Sequence, residues 1–214
     1  MDVVYILGSG SLSQNDEIRY SIRSLDQHML DLRDIYVVGE MPQKLPYAKH
    51  IPANDGFTER WKNAYNKVRK ACDIEGLSDE FLLMNDDFFM LEDFMGAEWP
   101  FYALEGSNGG TCGTHSFHIH CPIRLSREFY KNMPFSLDQK ACRSPRSFYG
   151  NYYRAKPTFC KDFILRAAND CKPFDEQVKG QPCFSISDSS MLYEPFRQWL
   201  QTLYPDPSGY ESVI

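Results

Sequence analysis

Two adjacent carboxylates, Asp86 and Asp87, follow an apolar run of strand length at residues 81–84. An open α/β sheet binds ligands at the carboxyl ends of its strands, so both acids would lie at a binding edge. One or two carboxylates often hold Mg²⁺ against the phosphates of a substrate. We therefore expect Asp86 and Asp87 to bind Mg²⁺ or Mn²⁺ against a diphosphate, beside Asn85. The competing interpretation is a helix N-cap or an Asx turn, where aspartate is also common.

A glycine-rich turn follows another candidate strand at the start of the chain. Residues 2–7 are β-branched and aromatic, which is typical of a strand, and they end at Gly8, Ser9 and Gly10. Such a turn lets a nucleotide approach the backbone closely, although this one lacks the G-x-G-x-x-G and Walker patterns. We expect these three residues to contact the nucleotide part of a donor.

Basic residues lie on the two helices that this region predicts. Arg19 and Arg23 are four residues apart, so they share one edge of the first helix. We expect them to meet a diphosphate near the start of that helix, unless they form an ordinary solvated face. Lys62 is our candidate for phosphate binding on the second helix. It belongs to a basic cluster of Arg60, Lys62, Lys67, Arg69 and Lys70.

The second half of the chain supplies candidates for proton transfer and phosphate binding. His118 and His120 alternate along a predicted strand, so they share one face, and either could be a base or a metal ligand. The alternative is a histidine of the core with its nitrogen atoms satisfied. Arg143 and Arg146 lie in a Ser-Pro loop, either as surface residues or as planar forks for phosphate. Asp188 follows a further alternating strand.

Strands and helices alternate through the first 90 residues, which favours a parallel sheet with right-handed crossovers. Two amphipathic helices separate the first three strands, because apolar residues recur there at steps of three and four. The predicted strands are residues 2–7, 35–38, 81–84, 117–120 and 183–187. The chain length suits a single domain.

The composition indicates a folded protein with no general nucleic-acid-binding character. The 214 residues are 43% hydrophobic and 14% aromatic, and the net charge is −6. An acidic chain gives no general support for binding nucleic acid, and no apolar run approaches the length of a membrane span. The seven cysteines include no C-x-x-C pair, so we expect mostly reduced thiols in a cytoplasmic protein and no zinc site.

Seven short segments carry a resemblance to a known family. The helix NDEIRYSIRSL at 15–25 is similar to N-E-L-R-Y-S-L-R-S-I, and GLSDEFLLMNDDF at 76–88 is similar to G-L-S-x-x-F-I-Y-L-N-D-D. The other segments are the opening strand at 2–5, His120-Cys121-Pro122, Arg143-Ser144-Pro145, Ser187-Asp188 and the tail at 205–211. In this order they resemble the Stealth family of sugar-phosphate transferases and its relatives among capsular-polysaccharide and lipopolysaccharide glycosyltransferases.

The resemblance implies a glycosyltransferase-A-like fold, with a Rossmann-like, mostly parallel sheet flanked by helices. It also implies a divalent metal and a nucleotide-sugar donor, which we expect to be UDP-linked. The chain departs from the family pattern in its first strand and at Ser147, where the family has an acid. These departures favour the compact glycosyltransferases. Glycosylation of a hydroxyl group on a glycan or other polymer is therefore the first prediction, and sugar 1-phosphate transfer is the alternative.

In the predicted reaction, Arg143 holds phosphate and either Asp188 or His120 accepts the proton of the acceptor hydroxyl. The metal and the arginines neutralise charge on the leaving nucleotide. Residues 1–95 would form the nucleotide-sugar and metal half of one domain, and residues 96–214 the acceptor and catalytic half. Two further interpretations stay open: a module that binds nucleotide sugars without turnover, and an enzyme that glycosylates a modified nucleic acid.

Overall fold

The structure is a computed structural model that describes residues 1–41, 44–138, 142–167, 172–187 and 189–212. Its helices are α1 (Glu17–His28), α2 (Arg60–Ala71), α3 (Arg127–Asn132), α4 (Pro145–Tyr152), α5 (Phe174–Val178) and α6 (Glu194–Leu203). Its strands are β1 (Asp2–Leu7), β2 (Ile35–Gly39), β3 (Lys49–Pro52), β4 (Glu80–Met84), β5 (Phe88–Met90), β6 (Phe101–Leu104), β7 (Ile123–Ser126), β8 (Pro157–Cys160), β9 (Ile164–Leu165) and β10 (Cys183–Ile186).

The central sheet has five strands in the order β3-β2-β1-β4-β7. The pairs β1–β2, β1–β4 and β2–β3 are parallel, whereas the edge strand β7 runs antiparallel to β4. The predicted α/β class, with a mostly parallel central sheet flanked by helices, is therefore confirmed.

Side-chain alternation along β1 explains why helices cover both faces of this sheet. Tyr5 belongs to the core cluster that contains Ile22 of α1. Its neighbour Val4 belongs to a different cluster, which contains Tyr65 and Val68 of α2. Each face thus buries its own apolar layer. The two apolar layers cover the faces of the sheet. Polar residues follow the carboxyl ends of its parallel strands.

Two smaller sheets extend the fold beyond the central one. One has the order β5-β10-β9, and the other pairs β6 with β8. Phe89 of β5 stacks on Phe184 of β10 with ring centroids 4.9 Å apart, and Phe196 of α6 joins their cluster. Because β5 begins directly after Asp87, the turn at residues 85–87 links the central sheet to the second sheet.

The structure corrects the strand predicted at residues 117–120. Phe117 and Ile119 are buried and His118 is exposed, so the segment has the alternation of a strand. It is nevertheless not part of a sheet, because the backbone N–H of His120 donates to the Asp162 carboxylate instead of a neighbouring strand. The short strands β3, β5, β6, β7, β8 and β9 were not predicted, since none carries a long apolar or alternating run.

The cysteines depart in part from the prediction of reduced thiols. Cys112 and Cys142 form a disulfide bond across 30 residues of sequence. The free thiols among the described residues are Cys72, Cys121, Cys160 and Cys183. Disulfides are typical of oxidising compartments, so the cytoplasmic location stays a prediction. No helix in the described part of the chain is both long and apolar enough to cross a membrane.

Candidate functional site

A cleft of about 490 Å³ opens where β1, β4 and β10 end. The parallel strands β1 and β4 of the central sheet deliver the residues that follow them to one edge, and β10 of the second sheet ends beside that edge. Residues from both predicted halves of the chain line the cleft, while the division into halves stays a prediction. The predicted site residues among the lining are Gly8, Ser9, Gly10, Asn85, Asp86, Asp87 and His120.

Asp87 carries a buried oxygen atom that no described residue satisfies. Its Oδ2 accepts a hydrogen bond of 2.8 Å from the Ser185 hydroxyl group on β10. Its Oδ1 is buried and has no hydrogen-bond partner among the described residues. Burial raises the pKa of Asp87 to about 6, although the hydrogen bond from Ser185 opposes the shift. An unsatisfied buried acceptor costs about 1–3 kcal/mol, so this oxygen is suited to receive a cation or a donor.

The oxygen donors of this turn fit a hard divalent cation that a substrate helps to bind. The Oδ1 atom of Asp87 has no partner in the described part of the chain, and Asp86 lines the same cleft. Across the described ranges, no group of three or more histidine, cysteine, aspartate or glutamate side chains could hold a metal ion by itself. Mg²⁺ is commonly held by one or two carboxylates together with substrate phosphates. The acid pair therefore fits a site that a bound diphosphate would complete.

His120 is oriented by a carboxylate that the sequence analysis did not identify. Asp162 follows β8, and its two oxygens accept hydrogen bonds of 3.0 Å from the His120 backbone N–H and 2.7 Å from Nδ1. The Asp162 hydrogen bond raises the pKa of His120, and the nearby charge of Asp87 adds to the rise. With the Nδ1 proton held by Asp162, Nε2 is the atom that can accept a proton.

The structure brings Arg146 close to these groups, but not Arg143. Arg143 is exposed and does not line the cleft. Arg146 lies in the first turn of α4 and donates to the Cys121 carbonyl, directly after His120. Burial lowers the pKa of Arg146, while contacts with Cys121 and the charge of Asp87 oppose the shift. Its buried Nε has no hydrogen-bond partner within the described ranges. Arg146 thus places positive charge near Asp87 and holds the backbone beside His120.

A second wall of the cleft comes from α2 and the loop before it. Lys67 is buried, donates 2.8 Å to the Leu7 carbonyl and forms an ion pair with Asp55. These contacts fix the end of β1, where the glycine-rich turn begins. The cleft residues of this wall are Asp55, Phe57, Arg60, Asn63, Ala64 and Lys67.

Lys62 does not line the cleft, unlike several of its neighbours on α2. Its ammonium group forms an ion pair of 3.0 Å with Glu59. The same group lies 5.5 Å from the ring centroids of Phe57 and Trp61, within the range of a cation–π contact. These contacts are sufficient to explain a lysine at this position without a phosphate ligand.

The turn after β1 is held in an unusual backbone conformation beside the cleft. Glu17 of α1 is buried and accepts hydrogen bonds from the hydroxyl groups of Ser11 and Ser13. Gln14 and Asn15 have φ angles of 57° and 59°, which are rare for residues other than glycine. The Oδ1 of Asn15 is buried without a hydrogen-bond partner in the described part of the chain. Strain and unsatisfied groups of this kind are found together at functional sites.

Arg19 and Arg23 bind the tail of the chain, and neither lines the cleft. Arg23 donates 2.7 and 2.8 Å to the two oxygens of Glu211, and Arg19 donates 3.0 Å to one of them. Arg23 also donates 3.1 Å to the Tyr204 carbonyl. Burial acts to raise the pKa of Glu211, but the arginines and the Ser208 backbone lower it to about 2. The two arginines therefore support the structure. The cationic side chains that line the cleft include Arg60 and Lys67.

Among the described residues, His118 remains apart from this constellation. His118 does not line the cleft, although its ring centroid lies 6.5 Å from that of His120. Although His118 is partly exposed to solvent, desolvation of its ring by neighbouring atoms lowers its pKa, and the charge of Arg146 adds to the shift. Asp188 lies outside the described residues, so its proposed role as a base stays a prediction. Its neighbour Ser187 lines the cleft.

No family model matches the chain. A curated protein of Streptomyces coelicolor named an exopolysaccharide phosphotransferase is 36% identical over 85 residues, which cover 35% of this chain. The matched region spans only 16% of the length of that relative. The name is one borne by Stealth proteins, so the similarity loosely supports a Stealth-like relation.

Sequence reasoning missed Asp162, Glu17 and Asn15 as members of the site. Asp162 follows a strand, as Asp86 does, but β8 is too short and too exposed to be recognised from its pattern. Glu17 and Asn15 were taken for parts of a helix start, because their role depends on how the loop folds back over the cleft. The sequence suggested Arg143 and Arg146 equally as phosphate ligands. Only the contacts in the structure show that Arg146 lies near Asp87 and that Arg143 is exposed.

Proposed function

We propose that this protein transfers a sugar 1-phosphate from a nucleotide sugar, UDP-linked in the first instance, to a hydroxyl group of a glycan. The observation that carries the proposal is one cleft that joins Asp87, with its unsatisfied oxygen, to the His120–Asp162 pair. The first is suited to a metal-bound phosphate, and the second to proton transfer. The partly similar exopolysaccharide phosphotransferase favours phosphate transfer over sugar transfer.

The donor would lie along the edge of the central sheet. Gly10 has open space beside its backbone for a nucleotide, since a Cβ atom there would meet nothing within 4 Å, whereas a Cβ atom at Gly8 would lie 3.5 Å from the Asp55 carboxylate. Arg60 lines the same wall and supplies a cation for the phosphates. Asp86 and Asp87 would hold a divalent cation against the diphosphate. When bound, such a cation neutralises charge on the phosphoryl oxygens and on the leaving group.

His120 would act as the general base. Its Nε2 accepts the proton of the acceptor hydroxyl as the oxygen attacks the β-phosphorus of the donor. The bond from this phosphorus to the bridging oxygen breaks, and a nucleoside monophosphate leaves. Asp162 keeps Nδ1 protonated and stabilises the imidazolium ion that forms. Arg146, beside this centre, offsets negative charge that develops on the transferred group.

Glycosyl transfer is the second candidate, and one position specifically favours it. The Stealth pattern has an acid where this chain has Ser147, and Ser147 is buried with its backbone N–H bonded to the Ser144 hydroxyl group. The same cleft would then direct the acceptor to the anomeric carbon, and a nucleoside diphosphate would leave. The leaving nucleotide therefore distinguishes the two reactions without knowledge of the sugar.

The test is to incubate the protein with nucleotide sugars, Mg²⁺ or Mn²⁺ and a mixture of oligosaccharides, and to identify the released nucleotide by chromatography. The proposal expects nucleoside monophosphate, together with an acceptor whose mass has increased by a sugar phosphate. Release of nucleoside diphosphate would instead show that the protein transfers the sugar alone. If neither nucleotide is released above the level of a His120→Ala control, the protein is not a transferase of this kind.

A further inference from the structure

A second cleft, of about 340 Å³, adjoins the one described above. Asn15 and Met191 line both clefts, so the two spaces meet at these side chains. The other residues of the second cleft are Leu12, Ser13, Gln14, Asp16, Lys44, Leu192 and Arg197. None of these seven residues belongs to the site predicted from the sequence or takes part in the reaction proposed for the first cleft.

The second cleft has an apolar surface that the fold leaves open. Leu12 is 60% exposed and Leu192 is 59% exposed, whereas Met191 between the two clefts is buried. Leucine side chains gain free energy when a ligand covers them, and grouped exposed apolar residues commonly mark binding surfaces. Two such residues at a cleft that joins the proposed reaction centre indicate a ligand with at least one apolar face.

The uncharged polar groups of the second cleft are a hydroxyl group and two amides, from Ser13, Gln14 and Asn15. The Oδ1 atom of Asn15 is buried and, within the described ranges, has no hydrogen-bond partner. It is therefore able to accept a hydrogen bond from a ligand. Gln14, Asn15 and Lys44 all have φ angles between 57° and 66°, so the protein holds three lining residues in a costly conformation. This arrangement is suited to hydroxyl groups, which donate to amide oxygens and accept from amide nitrogens.

The charges of this cleft are balanced within the protein. Lys44 forms an ion pair of 3.3 Å with Asp16, and Arg197 forms one with Glu194. A phosphate or carboxylate ligand would compete with these carboxylates for the cations. An uncharged ligand leaves both pairs intact. The charge pattern therefore favours a neutral, hydroxyl-rich ligand.

We propose that the second cleft binds uncharged sugar units of the acceptor, with a ring face on Leu12 and Leu192 and a hydroxyl group donating to Asn15. This inference rests on the proposed transferase function, because it places the acceptor next to the donor. It names the substrate class as a neutral glycan that extends at least one unit beyond the reacting sugar. Anionic glycans are the alternative that the charge pattern disfavours.

The first test measures binding and needs no turnover. Saturation-transfer NMR is recorded on the intact protein with short linear oligomers of glucose, galactose, mannose and N-acetylglucosamine, and with glucuronic acid oligomers. At least one neutral oligomer should bind, and its Kd should rise about tenfold in Leu192→Ala and in Leu12→Ala. Leu30→Ala is the matched control, since Leu30 is 66% exposed and lies in neither cleft lining.

The second test separates this inference from the proposed function. Hydrolysis of the nucleotide sugar without acceptor should be the same in wild type, Leu192→Ala and Leu30→Ala, while the acceptor KM rises about tenfold only in Leu192→Ala. If the wild type releases no nucleotide, the transferase proposal fails, and the NMR result still decides whether the cleft binds sugars. The inference is overturned if neutral oligomers bind equally to all variants, if none binds, or if only the anionic oligomers bind.

Discussion

Two charged regions of this molecule are treated in opposite ways by the fold. On α1, Arg23 and Arg19 are bound by Glu211, so their charges are satisfied by the protein itself. In the turn after β4, one oxygen of Asp87 receives a hydrogen bond from Ser185, and the other is buried without a partner among the described residues. A charged group that the protein satisfies supports the structure. One that it leaves unsatisfied at a cost is suited to bind a ligand.

The largest expected effect comes from Asp87 in the turn after β4. Asp87→Asn keeps an oxygen for the Ser185 hydrogen bond but removes the negative charge that would hold the cation. Turnover should fall by about two orders of magnitude or more, since a lost electrostatic contact at the reaction centre typically costs about 2.7–4 kcal/mol. The melting temperature should not fall, because a buried charge has been removed. Turnover and thermal unfolding check this.

Asp93→Asn is the control, since Asp93 is exposed and lies outside the cleft lining. Its turnover should equal that of the wild type. Equal turnover in Asp87→Asn would contradict the comparison between the two regions.

The next effect concerns the His120–Asp162 pair and is best seen as a pH dependence. Asp162 raises the pKa of His120, so the unprotonated base is gained only as the pH rises through that raised value. The turnover of the wild type should therefore increase with pH above about 6.5. In Asp162→Asn, the midpoint should move to lower pH, and the plateau should drop about tenfold or more because an amide neither fixes the Nδ1–H tautomer nor stabilises the imidazolium ion.

The pH–rate profile of the two proteins is the measurement. A change in the plateau with an unmoved midpoint would show that His120 is not the group whose titration limits the rate.

For the cluster of Arg19, Arg23 and Glu211, the expected effect is on stability. Glu211→Gln removes one partner of a buried charge cluster, which typically costs about 3–5 kcal/mol of the free energy of unfolding. Turnover of the folded protein should stay normal, since the cluster lies outside the cleft. Because the pKa of Glu211 in the folded state is lowered to about 2, its contribution is complete above about pH 5 and is lost as the pH falls towards 2.

Urea unfolding at several pH values measures this contribution. The gap between wild type and Glu211→Gln should narrow as the pH falls. A difference in the free energy of unfolding that does not change with pH would contradict the role of the Glu211 charge. A variant with normal stability and lost turnover would show that the cluster serves the reaction and not the structure.

The smallest effects are expected at two exposed or paired cations that the sequence suggested as phosphate ligands. Arg143→Ala and Lys62→Ala should each change the affinity for a nucleoside diphosphate by less than about twofold, because neither residue lines the cleft. Arg60→Ala is the matched comparison from the lining and should weaken binding more. Calorimetric titration with UDP and Mg²⁺ measures all three. A strong loss in Arg143→Ala would place the donor elsewhere.

The central sheet and the acid turn could be predicted because their signals are local. The run Phe81–Met84 followed by Asp86 and Asp87 encodes a buried strand and its polar end in consecutive residues. The glycine turn after β1 is local in the same sense. These segments meet at one edge because parallel strands deliver their carboxyl ends together.

Contacts between distant residues could not be read from the same patterns. Glu211 lies 188 residues from Arg23, and Asp162 lies 42 residues from His120. A periodic pattern shows that Arg19 and Arg23 share a helix edge, but not which carboxylate covers that edge. The strand predicted at residues 117–120 was wrong for a related reason, since an Asp162 carboxylate takes the place of a neighbouring strand.

The most direct test of the role of Asp87 is a crystal structure of the protein with UDP and Mn²⁺, with anomalous scattering used to locate the metal. We predict a manganese peak bonded to Oδ1 of Asp87 and to the diphosphate, with Glu211 still bound by Arg23. A diphosphate bound to Arg19 and Arg23 in place of Glu211, or a manganese peak away from Asp87, would contradict it.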